Sequence, residues 1–181
     1  MSSALNLPNL ISLSRVFLAP VVMVFLAMRG RFDYVFGISL GDLLAGIVFI
    51  IASLTDAADG YIARKRGIVT NLGKFIDPLA DKILVVAALI SLVELQRLPA
   101  WMVVIIVSRE FIVSGVRMVA ASDGIIIAAS KGGKIKTVTQ IVAICLMIFN
   151  VPYIAIPAMW LAMILTVSTG MDYLIKAKDL L

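Results

Sequence analysis

The 181-residue chain contains no histidine and only one cysteine, Cys145. Without histidine, it cannot use a Ser-His-Asp or Cys-His catalytic group, histidine phosphotransfer or a His-ligated zinc ion. A single cysteine cannot form an intrachain disulfide or a cysteine-rich metal site. Cys145 lies in the apolar run 141–149, where we expect a small apolar filler. Any proton transfer by this chain must therefore use carboxylates, lysines or water.

Charged residues are also scarce, at 15% of the chain, whereas 62% of its residues are hydrophobic and the mean hydropathy is +1.09. Soluble domains are about 25% charged and about 45–50% apolar. A soluble core of this size could not bury so much apolar surface, so the composition indicates an all-α integral membrane protein. The net charge of +5 favours contact with anionic lipid headgroups or an anionic substrate over nucleic acid.

The apolar runs predict one domain, residues 1–181, built from six transmembrane helices joined by short loops. The predicted helices cover residues 7–28, 41–64, 75–95, 99–120, 134–149 and 153–176. Lysines and arginines cluster after the second helix, before the fifth and at the end of the sixth. By the positive-inside rule, we expect both termini in the cytoplasm. Gly37 and Gly41 form a GxxxG pattern that predicts a helix-packing face.

Four aspartates stand out on two consecutive predicted helices: Asp56 and Asp59 end the second, and Asp77 and Asp81 begin the third. Spacings of three and four residues put each pair on one helix face, and a short loop makes the two helices antiparallel neighbours. Four carboxylates in one gap would repel each other, and one or two divalent cations, Mg²⁺ or Mn²⁺, would relieve the repulsion. The alternatives are helix capping, pairing with nearby basic residues, or an ion relay.

The residues around these aspartates are more specific. The chain reads Asp56-Ala-Ala-Asp59-Gly60-Tyr-Ile-Ala63-Arg64, and eight residues later come Gly73, Asp77 and Asp81. This resembles, at every signature position, the CDP-alcohol phosphotransferase family, whose signature is DxxDGxxAR, eight residues, then GxxxDxxxD. The resemblance implies six membrane helices with a polar active-site cavity at the cytoplasmic face.

The resemblance also implies a role for each matched residue. It makes Asp56, Asp59, Asp77 and Asp81 the ligands of two divalent cations, and Asp81 also the base that deprotonates the attacking hydroxyl. It implies further a binding site for CDP-diacylglycerol. In this site, small side chains leave room for the nucleotide at Gly60, Ala63 and Gly73. Arg64 pairs with a phosphate oxygen, and Thr70 of the intervening loop donates a hydrogen bond to a phosphate.

Two other segments resemble bacterial phosphatidylglycerophosphate synthases. In the first, Asn6 to Arg15, Asn9 and Ser12 are expected to reach the nucleotide, although Asn9 can instead cap a helix. The second contains Ser108-Arg109-Glu110, Arg117 and the basic run from Lys131. A candidate site for the acceptor phosphate consists of Arg109, Arg117, Lys134 and Lys136.

Each part of this candidate site has an alternative explanation. Cytoplasmic loops are basic in any case, which would account for Lys134 and Lys136. An ion pair with an acid would account for Arg109. Glu110 is a poor partner on this argument, because adjacent residues on a helix face different ways.

The resemblance covers nearly the whole chain and implies a reaction. The phosphatidyl group of CDP-diacylglycerol would pass to sn-glycerol 3-phosphate, giving phosphatidylglycerophosphate and CMP, in a bacterial plasma membrane and within a homodimer. Three alternatives stay open. One is the same chemistry with another acceptor, as in cardiolipin, phosphatidylinositol phosphate or phosphatidylserine synthases. The second is an ion-coupled transporter, although no internal repeat is visible. The third is a scaffold without chemistry.

Overall fold

The computed structural model describes the backbone of residues 7–35, 37–66, 71–122 and 131–178. Side chains are described for residues 14–35, 37–55, 82–120, 132–151 and 153–175. This part of the chain is all-α apart from one short hairpin. Its helices are α1 (Leu7–Ala27), α2 (Leu40–Arg66), α3 (Asn71–Glu94), α4 (Ala100–Ser122), α5 (Lys131–Ile148) and α6 (Pro152–Lys178). Each predicted helix is present, and its ends differ from the prediction by four residues at most.

A compact connection joins α1 to α2. It consists of a 3₁₀ turn, Arg29–Arg31, and two antiparallel two-residue strands, β1 (Tyr34–Val35) and β2 (Ile38–Ser39). Gly37 forms the hairpin turn with a φ of +81°, a conformation that favours glycine. Strands this short leave no periodic pattern in the sequence, so the hairpin was not predicted.

The start of α2 lies very close to the end of α1. A Cβ atom at Gly41 would lie 2.7 Å from the carbonyl oxygen of Phe25 and 2.8 Å from the Cα of Arg29. Both atoms belong to backbone, which cannot move aside as a flexible side chain could. Gly41 therefore allows the close approach of α2 to α1, whereas Gly37 lies in the hairpin turn, so the helix-packing face predicted for the two glycines together is wrong.

The helices form one bundle around an apolar core. Helix α1 packs against α2 and α3, and α6 packs against α4 and α5. Contacts of α2 with α5, and of α3 with both α4 and α5, complete the bundle. The largest fully buried apolar side chains are Phe49, Leu26, Leu89, Leu92, Ile106, Ile144, Ile148, Met159 and Val22.

The outer surface of the bundle is apolar, and several buried side chains are polar. Phe17 is 69% exposed and Leu54 is 65% exposed, whereas Arg15, Asp42 and Gln140 are buried. An apolar coat of this kind is unfavourable in water and is expected where lipid surrounds the protein. Of the described stretches, Tyr153–Ile175 of α6 is long and apolar enough by itself to cross a membrane. The number of spans, six, stays a prediction.

A buried ion pair fastens one end of the bundle. Arg97, which follows α3, places Nη2 2.5 Å from Oδ2 of Asp42 in the first turn of α2. Its Nη1 donates to the carbonyl oxygens of Met147 (3.2 Å) and Ile148 (2.7 Å) at the end of α5. One guanidinium therefore joins three elements and adds hydrogen bonds to carbonyls at the helix end, where intrahelical donors run out.

Candidate active site

The aspartates predicted to bind metal lie on two continuous helices. Asp56 and Asp59 belong to the last part of α2, and Asp77 and Asp81 to the first half of α3. Because both segments are helical, each pair occupies one helix face, as an all-carboxylate cation site requires. Their side chains lie outside the described part of the structure, so their convergence stays a prediction. Among the side chains that are described, no group of three or more acidic or cysteine residues could hold a metal ion.

Most of the predicted nucleotide-binding residues are placed only by their backbone. Gly60, Ala63 and Arg64 lie in α2 and Gly73 lies in α3. Asn9 and Ser12 lie in the first turns of α1, again with side chains that are not described, and Thr70 falls wholly outside the described residues. The roles assigned to these residues stay predictions.

A cavity of about 540 Å³ lies between α1, α2, α3, α4 and α5. It borders both aspartate-bearing helices, because its lining includes Ser53, three residues before Asp56, and Lys82, which follows Asp81. All four side chains predicted to bind the acceptor phosphate line this cavity, and two further cations join them. Among the residues that the structure describes, the lining contains six cations: Arg15, Lys82, Arg109, Arg117, Lys134 and Lys136.

The electrostatics of the cavity favour an anion. Among the described side chains of its lining, Glu110 is the one carboxylate. Apolar side chains such as Leu89 and Ile106 form part of the wall and keep the local dielectric constant low. Cations gathered in a cleft with low-dielectric walls raise the local concentration of anionic ligands. The cavity is therefore suited to a small molecule that carries phosphate.

Glu110 connects two of the predicted phosphate-binding residues. Its Oε1 accepts from Nη1 of Arg109 at 3.2 Å and also from Nζ of Lys136 on α5. The argument against Glu110 as a partner of Arg109 was wrong, because the long arginine side chain bridges the angle between adjacent helix positions. Lys136 is only 4% exposed, so the surface bias of basic loops does not explain it, whereas Lys134 is exposed at the edge of the cavity.

Arg109 and Arg117 also have contacts with α6. Nη2 of Arg109 donates to Oγ1 of Thr169 at 2.9 Å, and Nε of Arg117 donates to the hydroxyl of Tyr173 at 3.0 Å. The guanidinium carbon of Arg117 lies 4.9 Å from the centre of the Tyr173 ring, within the range of a cation–π contact. Arg109 is thus held by Glu110 and Thr169, and Arg117 by Tyr173, while both arginines line the cavity.

Two cationic residues of the lining were missed as site residues. Arg15 is 3% exposed in α1, and Lys82 lies one residue after Asp81. The sequence could have indicated Arg15 as a site residue, because it is a charged residue inside an apolar run. No spacing rule pointed to Lys82, because its contribution depends on how α3 is rotated relative to α4 and α5.

Comparison with known proteins points to the same family as the sequence resemblance. Residues 5–168 match the model of the CDP-alcohol phosphatidyltransferase family. The CDP-diacylglycerol–glycerol-3-phosphate 3-phosphatidyltransferase of Bacillus subtilis is 48% identical over 185 residues, covering 94% of each chain. The protein with the same name from Rickettsia felis is 33% identical and covers 96% of each chain. That of Mycoplasma pneumoniae is 35% identical over 154 residues, covering 80% of this chain and 68% of its own.

Proposed function

The chain belongs to the CDP-alcohol phosphatidyltransferase family, and from this premise we propose that it makes phosphatidylglycerophosphate. It transfers the phosphatidyl group of CDP-diacylglycerol to sn-glycerol 3-phosphate and releases CMP. The names of its relatives from Bacillus subtilis and Rickettsia felis support this donor and this acceptor. The function is that of a transferase in phospholipid biosynthesis.

The cationic cavity is the observation that carries the choice of acceptor. Arg109, Arg117 and Lys136 line it beside the helices that bear the aspartates. A phosphate monoester would accept charge-assisted hydrogen bonds from these groups. A neutral alcohol or a zwitterionic amino acid would leave most of this positive charge uncompensated. Glycerol 3-phosphate is also small enough for a cavity of about 540 Å³.

The residues of the chain have distinct roles in the proposed reaction. Asp81 takes the proton of the C1 hydroxyl of glycerol 3-phosphate. The hydroxyl oxygen then attacks the phosphorus that bears the diacylglycerol, and the bond from this phosphorus to the oxygen shared with CMP breaks. CMP leaves with the electron pair of that bond. Arg64 pairs with a phosphate oxygen of the donor, and Arg109 and Lys136 hold the acceptor phosphate.

We assign the divalent cations to Asp56, Asp59, Asp77 and Asp81, because oxygen-only ligands suit Mg²⁺ or Mn²⁺. When bound, two such ions supply orientation of the pyrophosphate and neutralisation of the charge on the leaving group. Gly60, Ala63 and Gly73 leave space for the nucleotide, and Asn9, Ser12 and Thr70 donate to it.

The apolar outer surface supports a location in the bilayer. We propose six membrane spans, with both termini and the cavity mouth on the cytoplasmic side of a bacterial plasma membrane, and a homodimer as the active assembly. The acyl chains of the donor then stay in the lipid, while the water-soluble acceptor arrives from the cytoplasm.

An acceptor panel tests the proposed function. Purified protein in detergent would receive CDP-diacylglycerol and one acceptor at a time: sn-glycerol 3-phosphate, phosphatidylglycerol, inositol phosphate, inositol or serine. We expect CMP release with sn-glycerol 3-phosphate, its loss in EDTA, and its recovery with excess Mg²⁺ or Mn²⁺. Turnover that requires another acceptor would contradict the assignment. Ion flux in liposomes without CMP release would favour a transporter.

A further inference from the structure

One face of α6 carries polar or small residues at helical spacing: Thr166, Thr169, Gly170 and Tyr173. Thr166, Gly170 and Tyr173 are buried, although α6 is otherwise strongly apolar. Polar side chains inside a membrane helix are costly unless they have partners, and they usually serve a function. Contacts of this face with two arginines show that it lies against α4.

Thr169 and Gly170 hold Arg109. The hydroxyl of Thr169 donates to the carbonyl oxygen of Leu165 at 2.6 Å, so its lone pairs are free to accept from Nη2 of Arg109 at 2.9 Å. A Cβ atom at residue 170 would lie 2.8 Å from Cγ and 3.0 Å from Nε of Arg109. Glycine at this position therefore makes room for the arginine side chain to lie along α6.

Tyr173 holds Arg117 in a similar way. The phenol hydroxyl accepts from Nε of Arg117 at 3.0 Å, and the guanidinium carbon lies 4.9 Å from the centre of the Tyr173 ring. Neither Thr169, Gly170 nor Tyr173 lines the cavity, whereas Arg109 and Arg117 do. These α6 residues therefore contact the two arginines from outside the cavity and do not line the site.

We propose that Thr169, Gly170 and Tyr173 are positioning residues that fix Arg109 and Arg117 for the phosphate of the acceptor. The inference rests on the proposed function and extends it to α6, beyond residue 168, where the match to the family model ends. Arginine has several rotatable bonds, and ordering them before the ligand arrives lowers the entropic cost of binding. The α6 face thus sets acceptor affinity without contact with the acceptor.

Three single substitutions test the role of this face: Thr169→Val, Gly170→Ala and Tyr173→Phe. Each removes one hydrogen-bond acceptor or the space for one side chain, and none of the three substituted residues lines the cavity. We expect the KM for sn-glycerol 3-phosphate to rise roughly threefold to tenfold, with kcat and the KM for CDP-diacylglycerol within about twofold of the wild-type values. Thr169→Ser keeps the hydroxyl, so this variant should have the wild-type KM for sn-glycerol 3-phosphate.

The chain offers a matched control for each substitution. Thr139→Val removes a hydroxyl that bonds only to its own helix, at the carbonyl oxygen of Ile135. Gly115→Ala adds a Cβ atom that meets nothing within 4 Å, and Tyr153→Phe alters a tyrosine that is 92% exposed. All three controls should keep the wild-type KM for both substrates. Melting temperatures in detergent identify any variant that is merely unfolded.

Calorimetric titration with inorganic phosphate separates this inference from the proposed function. We expect the three α6 variants to bind phosphate more weakly than the wild type and the controls. An unchanged phosphate Kd together with an unchanged KM for the acceptor, or an equal rise of both substrate KM values, would overturn the positioning role. A wild type that binds phosphate but releases no CMP with sn-glycerol 3-phosphate would contradict the proposed function alone, and the phosphate Kd of the variants would still decide the inference.

Discussion

The contact with Glu110 changes the interpretation of Lys136 from a basic loop residue to a buried residue of the cavity. Lys136 is 4% exposed, and its ammonium group bonds to the carboxylate of Glu110 on the neighbouring helix. Removal of Lys136 would leave Glu110 with Arg109 as its remaining cationic partner, at 3.2 Å. The carboxylate also limits the positive charge of the cavity and spaces Arg109 from Lys136.

We therefore predict that Lys136→Gln harms acceptor use more than the double variant Lys136→Gln/Glu110→Gln does. The single variant leaves a carboxylate facing the incoming phosphate, whereas the double variant removes this repulsion. The measurement is kcat/KM for sn-glycerol 3-phosphate in a double-mutant cycle. Additive effects of the two substitutions would show that the contact has no part in acceptor binding.

Asp81 carries the proton-transfer step in the proposed reaction. We predict that Asp81→Asn still binds CDP-diacylglycerol but releases CMP at least about 100 times more slowly, a loss typical of a missing general base. Calorimetry with the donor and a CMP-release assay would measure the two effects separately. Asp33→Asn, a change at an exposed aspartate in the α1–α2 connection, is the control. Full turnover by Asp81→Asn would remove this residue as the base.

At the scale of residues, helical spacing did not show how the side chains of the cavity pair. Arg109, Arg117, Lys134 and Lys136, which the sequence analysis grouped as a candidate phosphate site, line one cavity. The bond between Arg109 and Glu110 was not expected. Side-chain length and rotamer decide such contacts, and helical spacing alone does not describe either.

Among the elements, the junction of α1 and α2 depends on Gly41. A methyl group there would meet backbone atoms of Phe25 and Arg29 within 2.8 Å. We predict that Gly41→Ala lowers the unfolding free energy by about 1–3 kcal/mol, as overpacking does in other cores. Thermal unfolding in detergent would measure the loss. Gly30→Ala places its methyl group where nothing lies within 4 Å and should melt within experimental error of the wild type.

The helices were predictable because each is a long apolar run bounded by polar or turn-forming residues. The least accurate end was the start of α3, predicted at residue 75 and found at Asn71, where polar residues of the loop join the helix. The hairpin between α1 and α2 was not predictable, since its two strands contain two residues each. The contacts of α6 with the two arginines also escaped prediction, because Thr169 and Tyr173 have partners some 60 positions away.

Across the whole molecule, charge asymmetry between loops predicts the orientation in the membrane. We predict that single cysteines introduced as Arg31→Cys and Tyr153→Cys, in a Cys145→Ala background, react with an impermeant maleimide in intact cells. Both positions are exposed in the structure. Cysteines at Ser3 and Lys178 should react only after the membrane is permeabilised, because the proposed topology places both termini in the cytoplasm. The opposite labelling pattern would contradict the topology.

The contacts between α4 and α6 have a consequence for how the protein is made. During translation, α4 emerges before α6, so Arg109 and Arg117 reach the bilayer before Thr169 and Tyr173 exist as partners. An arginine near the centre of a lone helix opposes insertion by about 2.5–3.5 kcal/mol. In the six-span topology that we propose, we therefore expect α4 to be poorly suited to enter lipid alone and to integrate stably only after the last helix is synthesised.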